Sequence, residues 1–306
     1  PPPRQPAAVS SSACTVCPFS PPPQPQIIQN FKGTVPRYAC QSIAGKYSQN
    51  ETYAQNLNLV LSDLISNSST TWFYNSTAGE GLNKVYALFY CRGDIGSDDC
   101  HDCVQGTISW ARKWCPSYKE AIVWYEQCTL RYANRLIFSK EEEDPWDFAF
   151  SPINVTDPNS LSQALFETMG GLISDAAYTT SNGFSTGIAS YASTKRVYCI
   201  VQCSPDILGS PCYNCLTEAR SKVRSGGPKA AYILLPSCRL MYDFDPLFSI
   251  ANSPPPQENG KSSYILFKVA LPVAVPIFFL CGMSIGYCLK INKMKQRRKG
   301  SAAHQR

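Results

Sequence analysis

Cys91-Arg92-Gly93-Asp94-Ile95-Gly96-Ser97-Asp98-Asp99-Cys100-His101-Asp102-Cys103 decides how this chain is read. Eight residues separate its first two cysteines and two separate the second pair, and the same spacing returns at Cys203, Cys212 and Cys215. Each cysteine of the second triplet lies 112 residues after its counterpart. An apolar run precedes both, Val85 to Tyr90 in one case and Val197 to Gln202 in the other. A fixed internal period marks a repeated structural unit. A chain of 306 residues has room for about two ordinary domains. We therefore expect two copies of one small domain, each with a modest core that disulfides would brace.

Composition points to an oxidising, extracytoplasmic compartment. Fifteen cysteines are many for a cytosolic protein, and four Asn-x-Ser/Thr acceptors accompany them, at Asn50, Asn67, Asn75 and Asn154. The net charge of +6 belongs to one end. Seven Lys or Arg fall between Lys290 and Arg306, leaving 21 basic and 22 acidic side chains elsewhere. The body thus gives no electrostatic argument for a nucleic-acid partner.

Residues 1–36, rich in Pro, Ser and Gln, read as a disordered, extended leader. The chain opens without an initiator Met or an apolar signal core, so a fragment boundary or an imperfect gene model is expected there. Cys14 and Cys17 read as an incidental pair within it. The first domain is expected over 37–139. Asn50 to Ser66 shows helical periodicity through Leu57, Val60, Leu61, Leu64 and Ile65. Thr70 to Gly81 reads as a polar, turn-rich excursion, and Val85 to Cys91 as a strand. Ser97 is the expected N-cap of a helix carrying Cys100, Cys103, Val104, Ile108 and Ala111, with Asp98 and Asp99 in its first turn. Ala121 to Tyr125 and Leu130 to Phe138 read as further strands. Residues 140–157 are the expected linker, with Glu141 to Asp144 a solvated acidic run. The second domain is expected over 158–250. Pro158 opens a helix with an apolar stripe at Leu161, Leu165, Met169, Leu172 and Ile173. A strand over Val197 to Cys203, a helix over Cys212 to Val223 and strands over Ala231 to Leu235 and Leu240 to Phe244 follow.

Residues 251–263 form a Pro-rich stalk in this reading, 264–289 a transmembrane helix and 290–306 a basic cytoplasmic tail. The 21 residues from Val269 to Leu289 carry no charge, enough to cross a bilayer core of about 30 Å. The positive-inside rule puts the repeats outside and the C-terminus in the cytoplasm of a single-pass plasma-membrane protein. All four glycosylation acceptors lie on that outer side. The tail is expected against anionic inner-leaflet lipid. Cys288 is a candidate palmitoylation site, and Gly282 with Gly286 a weak helix-packing pair.

Six cysteines in the first domain allow fifteen connectivities. The repeat narrows them. Cys91, Cys100, Cys103 and Cys128 have counterparts in Cys203, Cys212, Cys215 and Cys238, whereas Cys40 and Cys115 lack theirs together. Joint absence is simplest if Cys40 bonds Cys115 and the second copy lacks the whole bridge. Cys199 stands where the first copy has Ala87, so it reads as a small buried apolar residue. A zinc site of Cys100, Cys103, Cys115 and Cys128 is the competing reading, and the expected topology favours disulfides over it.

The doubled Cys-x8-Cys-x2-Cys spacing, the words Tyr86-Ala87-Leu88-Phe89-Tyr90-Cys91-Arg92-Gly93-Asp94, Trp124-Tyr125-Glu126-Gln127-Cys128-Thr129-Leu130-Arg131-Tyr132 and Val201-Gln202-Cys203-Ser204-Pro205-Asp206, and the single span resemble the ectodomain of plant cysteine-rich receptor-like kinases. Its module is the ginkbilobin-like, or stress-antifungal, domain. Plasmodesmata-located proteins share the doubled ectodomain. The resemblance implies an α+β fold, with two helices on a roughly five-stranded antiparallel sheet in each of two tandem domains. It also implies the pairs Cys91–Cys100, Cys103–Cys128, Cys40–Cys115, Cys203–Cys212 and Cys215–Cys238.

Secreted ginkbilobin-type relatives bind mannose through an Asn, an Arg and a Glu. Those positions here hold Gln41, Ile122 and Ala133, and the latter two hold Tyr232 and Asp243 in the second copy, so mannose binding is not carried over. No Gly-rich phosphate loop, His-Arg-Asp or Asp-Phe-Gly motif occurs, and no cofactor, metal or catalytic residue is assigned. His101 beside Asp102 has no visible nucleophile and reads as a solvated helix face. The leading expectation is a receptor-like surface protein, homo- or hetero-oligomeric, that binds an extracellular ligand or co-receptor. The alternatives are a plasmodesmal regulator, which the short tail favours, and a membrane-tethered carbohydrate-binding defence module.

Overall fold

The computed structural model describes residues 26–27, 36–192 and 194–248. Strand β1 (Gln26–Ile27) comes first. The first repeat then runs β2 (Arg37–Cys40), α1 (Thr52–Ser68), β3 (Phe73–Ala78), β4 (Val85–Cys91), α2 (Ser97–Trp114), β5 (Ala121–Trp124) and β6 (Cys128–Ala133). Its five strands form an antiparallel sheet in the order β2-β5-β6-β4-β3. The second repeat runs β7 (Asp147–Phe150), α3 (Pro158–Tyr178), β8 (Phe184–Tyr191), β9 (Lys195–Cys203), α4 (Ser210–Ser221), β10 (Ala230–Leu234) and β11 (Cys238–Asp243). Its antiparallel strands are ordered β7-β10-β11-β9-β8, and β1 adds a parallel edge against β7.

Each helix pair covers one face of its sheet. Tyr53, Leu57, Val60, Leu61 and Leu64 of α1 are buried with Val104, Ile108 and Ala111 of α2 against Ala87, Phe89, Val123 and Leu130. Leu161, Leu165, Met169, Leu172 and Ile173 of α3 form the equivalent core with Leu216 and Ala219 of α4. Asp157 caps α3, accepting from the Ser160 amide at 3.1 Å, and Pro158 occupies the first turn, where its missing N–H costs nothing. In α2 the charges suit the helix dipole, with Asp98 and Asp99 in the first turn and Arg112 and Lys113 in the last.

Four readings are corrected and one unread strand, β8, is added. Gly96 is the N-cap of α2 and makes no side-chain cap, while Ser97 is already helical. Thr70 to Gly81 holds the edge strand β3. Its exposed Asn75 and Thr77 hid the strand, because an edge tolerates polar residues on an open face. β8 is the equivalent edge, bounded by Gly183 at φ +65° and equally unmarked by apolar alternation. The supposed 140–157 linker contains β7, so the second repeat begins at Asp147, ahead of residue 158. The leader contributes β1. The expected stalk, span, tail, Cys14, Cys17 and Cys288 lie outside the described residues. Among the described residues no helix is long and apolar enough to cross a membrane.

Candidate functional site

The repeated cysteines staple each α layer to its sheet. Cys91–Cys100 and Cys203–Cys212 close the passage from central strand to second helix. Cys103–Cys128 and Cys215–Cys238 tie that helix to the next central strand. Cys40–Cys115 joins β2 to the end of α2 at a Cα separation of 5.4 Å. The four cysteines weighed as a zinc set are consumed in three different bridges. Cys199 is free and fully buried in the second core, and burial pushes its thiol up to about 12. A thiol so hard to ionise is a poor nucleophile.

The sheet faces turned away from the helices are also buried, and the two repeats meet through them. Ile122 and Trp124 of β5 pack on Leu234 of β10, and the Trp124 indole N–H donates to the Leu235 carbonyl at 3.0 Å. Arg239 of β11 is completely buried. It donates to the Tyr125 and Glu126 carbonyls at 3.0 and 3.1 Å and to the Thr129 hydroxyl, and lies 5.4 Å from the Tyr90 ring. The Gln202 amide donates to the Cys91 carbonyl at 2.9 Å. Arg92 pairs with Asp94 at 2.6 Å and donates to the Leu247 carbonyl at 3.1 Å. Cys128 and Cys238 are equivalent, so Thr129 and Arg239 are equivalent positions, as are Trp124 and Leu234. The seam is therefore pseudo-twofold, with each repeat offering the same patch to the other.

Of the sugar-site positions in the first repeat, Ile122 and Ala133 fall on the outer face, while Gln41 lies just past the end of β2. Ile122 is 3 % exposed, and Ala133 is buried beside Leu88 and Tyr90. Next to Ile122 across the sheet stands Arg131, in an ion-pair network with Glu120, Arg135 and Glu142. Burial works against the Glu142 carboxylate, but Arg135 and Arg131 outweigh it and hold its carboxyl below the usual range. Glu142 also receives the second repeat: its backbone N–H donates to the Ser237 hydroxyl at 2.9 Å. The acidic run is thus no solvated spacer at Glu142. In the second repeat Tyr232 donates to Asp243 at 3.2 Å. Burial first and the Asp243 carboxylate second push that phenol above its ordinary range.

His101 is not simply solvated. Its Nδ1 lies 2.9 Å from Ser68 Oγ and its Nε2 2.8 Å from the Gln105 amide. Ser68 is buried and donates to the Ile65 carbonyl at 2.8 Å, so the imidazole is the donor in the Ser68 contact. That polarity clamps α2 to the end of α1 and is the reverse of base activation. Of the glycosylation acceptors, Asn50, Asn75 and Asn154 are exposed. Asn67 is half-buried in α1, its amide donating to the Asp63 carbonyl and carboxylate at 2.9 and 3.0 Å. Among the described residues no group of acidic, His or Cys side chains is arranged to hold a metal.

Two stapled helix-on-sheet repeats packed through their outer sheet faces define a tandem cysteine-rich module. The salt stress response/antifungal family matches residues 39–135 and 153–245, and the chain belongs to that family. It is 32 % identical over 242 residues to cysteine-rich receptor-like protein kinase 25 of Arabidopsis thaliana, covering 75 % of this chain and 35 % of that one. It is 30 % identical over 229 residues to cysteine-rich repeat secretory protein 42 of the same plant, covering 71 % and 88 %. The chain thus spans about a third of the length of the receptor-kinase relative. The crystal structure of the tandem DUF26 ectodomain of the Arabidopsis thaliana cysteine-rich receptor-like protein PDLP8 superposes with a TM-score of 0.61 at 25 % identity. It covers 68 % of this chain and 96 % of that one. The matching ectodomain of PDLP5 gives 0.56 at 24 % identity and supports the fold.

Proposed function

We propose that the chain is a single-pass receptor-like protein whose tandem ectodomain engages a partner outside the cell. The observation that carries this reading is the stapled double repeat in the architecture of the PDLP8 ectodomain. Five disulfides require an oxidising compartment, the acceptors Asn50, Asn75 and Asn154 face solvent, and the uncharged stretch from Val269 to Leu289 supplies an anchor. Catalysis is no part of the proposed role for these residues. The test is surface biotinylation of intact plant cells expressing the full chain, with glycosidase treatment alongside. Labelled repeats and a mobility shift abolished by Asn→Gln at the three exposed acceptors are expected. Repeats protected in intact cells would refute the topology.

A second reading, a plasmodesmata-located regulator of cell-to-cell transport, draws on the likeness to PDLP8. Puncta at wall junctions for a tagged full chain would favour it, and uniform surface label would count against it. A tethered mannose-binding defence module is the weakest alternative, because Ile122 and Ala133 are buried.

A further inference from the structure

Each repeat has a cleft where its two helices part over the sheet, and the two clefts occupy equivalent places. Leu57, Leu61, Arg112 and Tyr132 line the first, whose volume is about 170 Å³. Leu165, Met169, Arg224 and Tyr242 line the second, about 190 Å³. Arg112 and Arg224 keep the 112-residue offset of the helical cysteines, and Tyr132 and Tyr242 each stand four residues after the last cysteine of their repeat. The recurrence follows from the architecture. What differs is how each repeat finishes its cleft.

In the first repeat Asn58 follows Leu57, and the Arg112 guanidinium donates to the Asn58 side-chain oxygen at 3.2 Å, crossing the mouth. In the second repeat Phe166 follows Leu165 and is 61 % exposed. The Arg220 guanidinium lies 4.5 Å from its ring centroid, and Arg224 stands exposed on the same rim. No acidic side chain lines this cleft. The nearby Glu218 is engaged by Lys222 at 2.7 Å. Among the described residues neither rim arginine has a carboxylate partner. An open apolar floor, an exposed aromatic ring and two cations without counter-charge are complementary to one kind of occupant.

We propose that the α3–α4 cleft binds a small amphipathic anion. An apolar ring or short chain would seat on Leu161, Leu165 and Met169 beside Phe166, and a carboxylate would lie between Arg220 and Arg224. The volume is below the roughly 300–1,000 Å³ of clefts that enclose drug-sized ligands, which selects a small body over an oligosaccharide. Charge-assisted hydrogen bonds from guanidinium to carboxylate supply the specificity for an anion. The first cleft, with Arg112 already engaged by Asn58, is its internal control. The inference deepens the receptor reading and rests on it for biological meaning, but its test uses the purified full chain and no membrane topology.

The experiment is calorimetric titration with 2-naphthoate, paired with neutral 2-naphthamide. Saturable binding of the acid is expected, with the amide weaker by about tenfold or more. R220Q/R224Q should weaken naphthoate by a similar factor without changing the melting temperature, F166A should weaken acid and amide together, and R112Q should leave binding unchanged. No saturable binding, equal affinity for acid and amide, or full binding by R220Q/R224Q would each overturn the proposal. So would loss of binding in R112Q, which would move the site to the other repeat. Any of these would leave the receptor reading to its own topology test.

Discussion

Replacing Arg239 with Met should uncouple the two repeats. The arginine is completely buried on β11, yet three of its hydrogen bonds go to the other repeat, at Tyr125, Glu126 and Thr129. Burial disfavours its charged form, and its pKa is lowered accordingly, so the native state bears a desolvation cost that the substitution would relieve. Two carbonyls and a hydroxyl would at the same time lose a charged donor, each worth about 1.5–3 kcal/mol. Removing one partner of a buried charged network costs about 3–5 kcal/mol net. With a urea slope of about 1–3 kcal/mol/M, the midpoint should fall by at least ~1 M. The assay is urea unfolding read by tryptophan fluorescence in a background with Trp72, Trp110, Trp114 and Trp146 replaced by Phe, so that Trp124 reports the seam through its bond to Leu235. A Trp124 transition that precedes loss of far-UV circular dichroism is expected, because the repeats would then unfold separately. A single coincident transition within ~0.3 M of wild type would refute the claim that Arg239 holds the seam.

Other outcomes follow from the staples and the ion pairs. Loss of Cys40–Cys115, which spans 75 residues, should cost about 4.5 kcal/mol in the chain-entropy model, against about 2.6 for the nine-residue Cys91–Cys100 loop. Melting of the paired Cys→Ser variants would show the order. The Glu142 carboxyl is depressed in the folded state, so its contribution is present above its unfolded pKa and lost as pH falls through its folded one. The stability gap between wild type and E142Q should therefore close as pH is lowered from neutrality through the carboxylate range. A gap that stays constant would mean the Arg131 and Arg135 pairs contribute nothing. Cys199, with its thiol pushed up to about 12, should resist maleimide in the native protein at neutral pH and react once unfolded. Rapid native labelling would show that the second core is open.

The helix layer was legible in the sequence because its signals are local. Periodicity marked the stripes of α1 and α3, and cysteine spacing marked the joint between strand and helix. The absence of counterparts to Cys40 and Cys115 pointed to the bridge that joins them. The edge strands were not legible. Phe73-Tyr74-Asn75-Ser76-Thr77-Ala78 pairs on one side only, so its composition resembles a turn. β7 lay hidden behind an acidic run whose Glu142 is paired with Arg131 and Arg135 of the preceding strand and its exit. The seam does leave a signal in the sequence. Val85-Tyr86-Ala87-Leu88-Phe89-Tyr90-Cys91 is apolar almost throughout, where a strand open on one face would alternate, and such a run marks a strand buried on both faces. Around Cys128, Trp124, Tyr125, Glu126 and Thr129 make the contact with the other repeat.

That use of the outer faces constrains where recognition can occur. A lone repeat would present Ile122 and Trp124 to solvent, whereas Ala133 stays covered by Leu88, Tyr90 and Ile137 of its own repeat. In the tandem, Ile122 and Trp124 are spent on Leu234, and Arg131 is spent on Glu120 and Glu142. The seam joins equivalent positions through unlike residues, Trp124 against Leu234 and Thr129 against Arg239. Each repeat is therefore fitted to its place: two second repeats would set Arg239 against Arg239, and two first repeats would set Trp124 against Trp124. With both outer faces committed to packing, the surfaces on which the repeats stay free to diverge are the helix layers. There the first repeat carries Asn58, which engages the rim arginine Arg112, where the second carries Phe166, an exposed ring with Arg220 over its face.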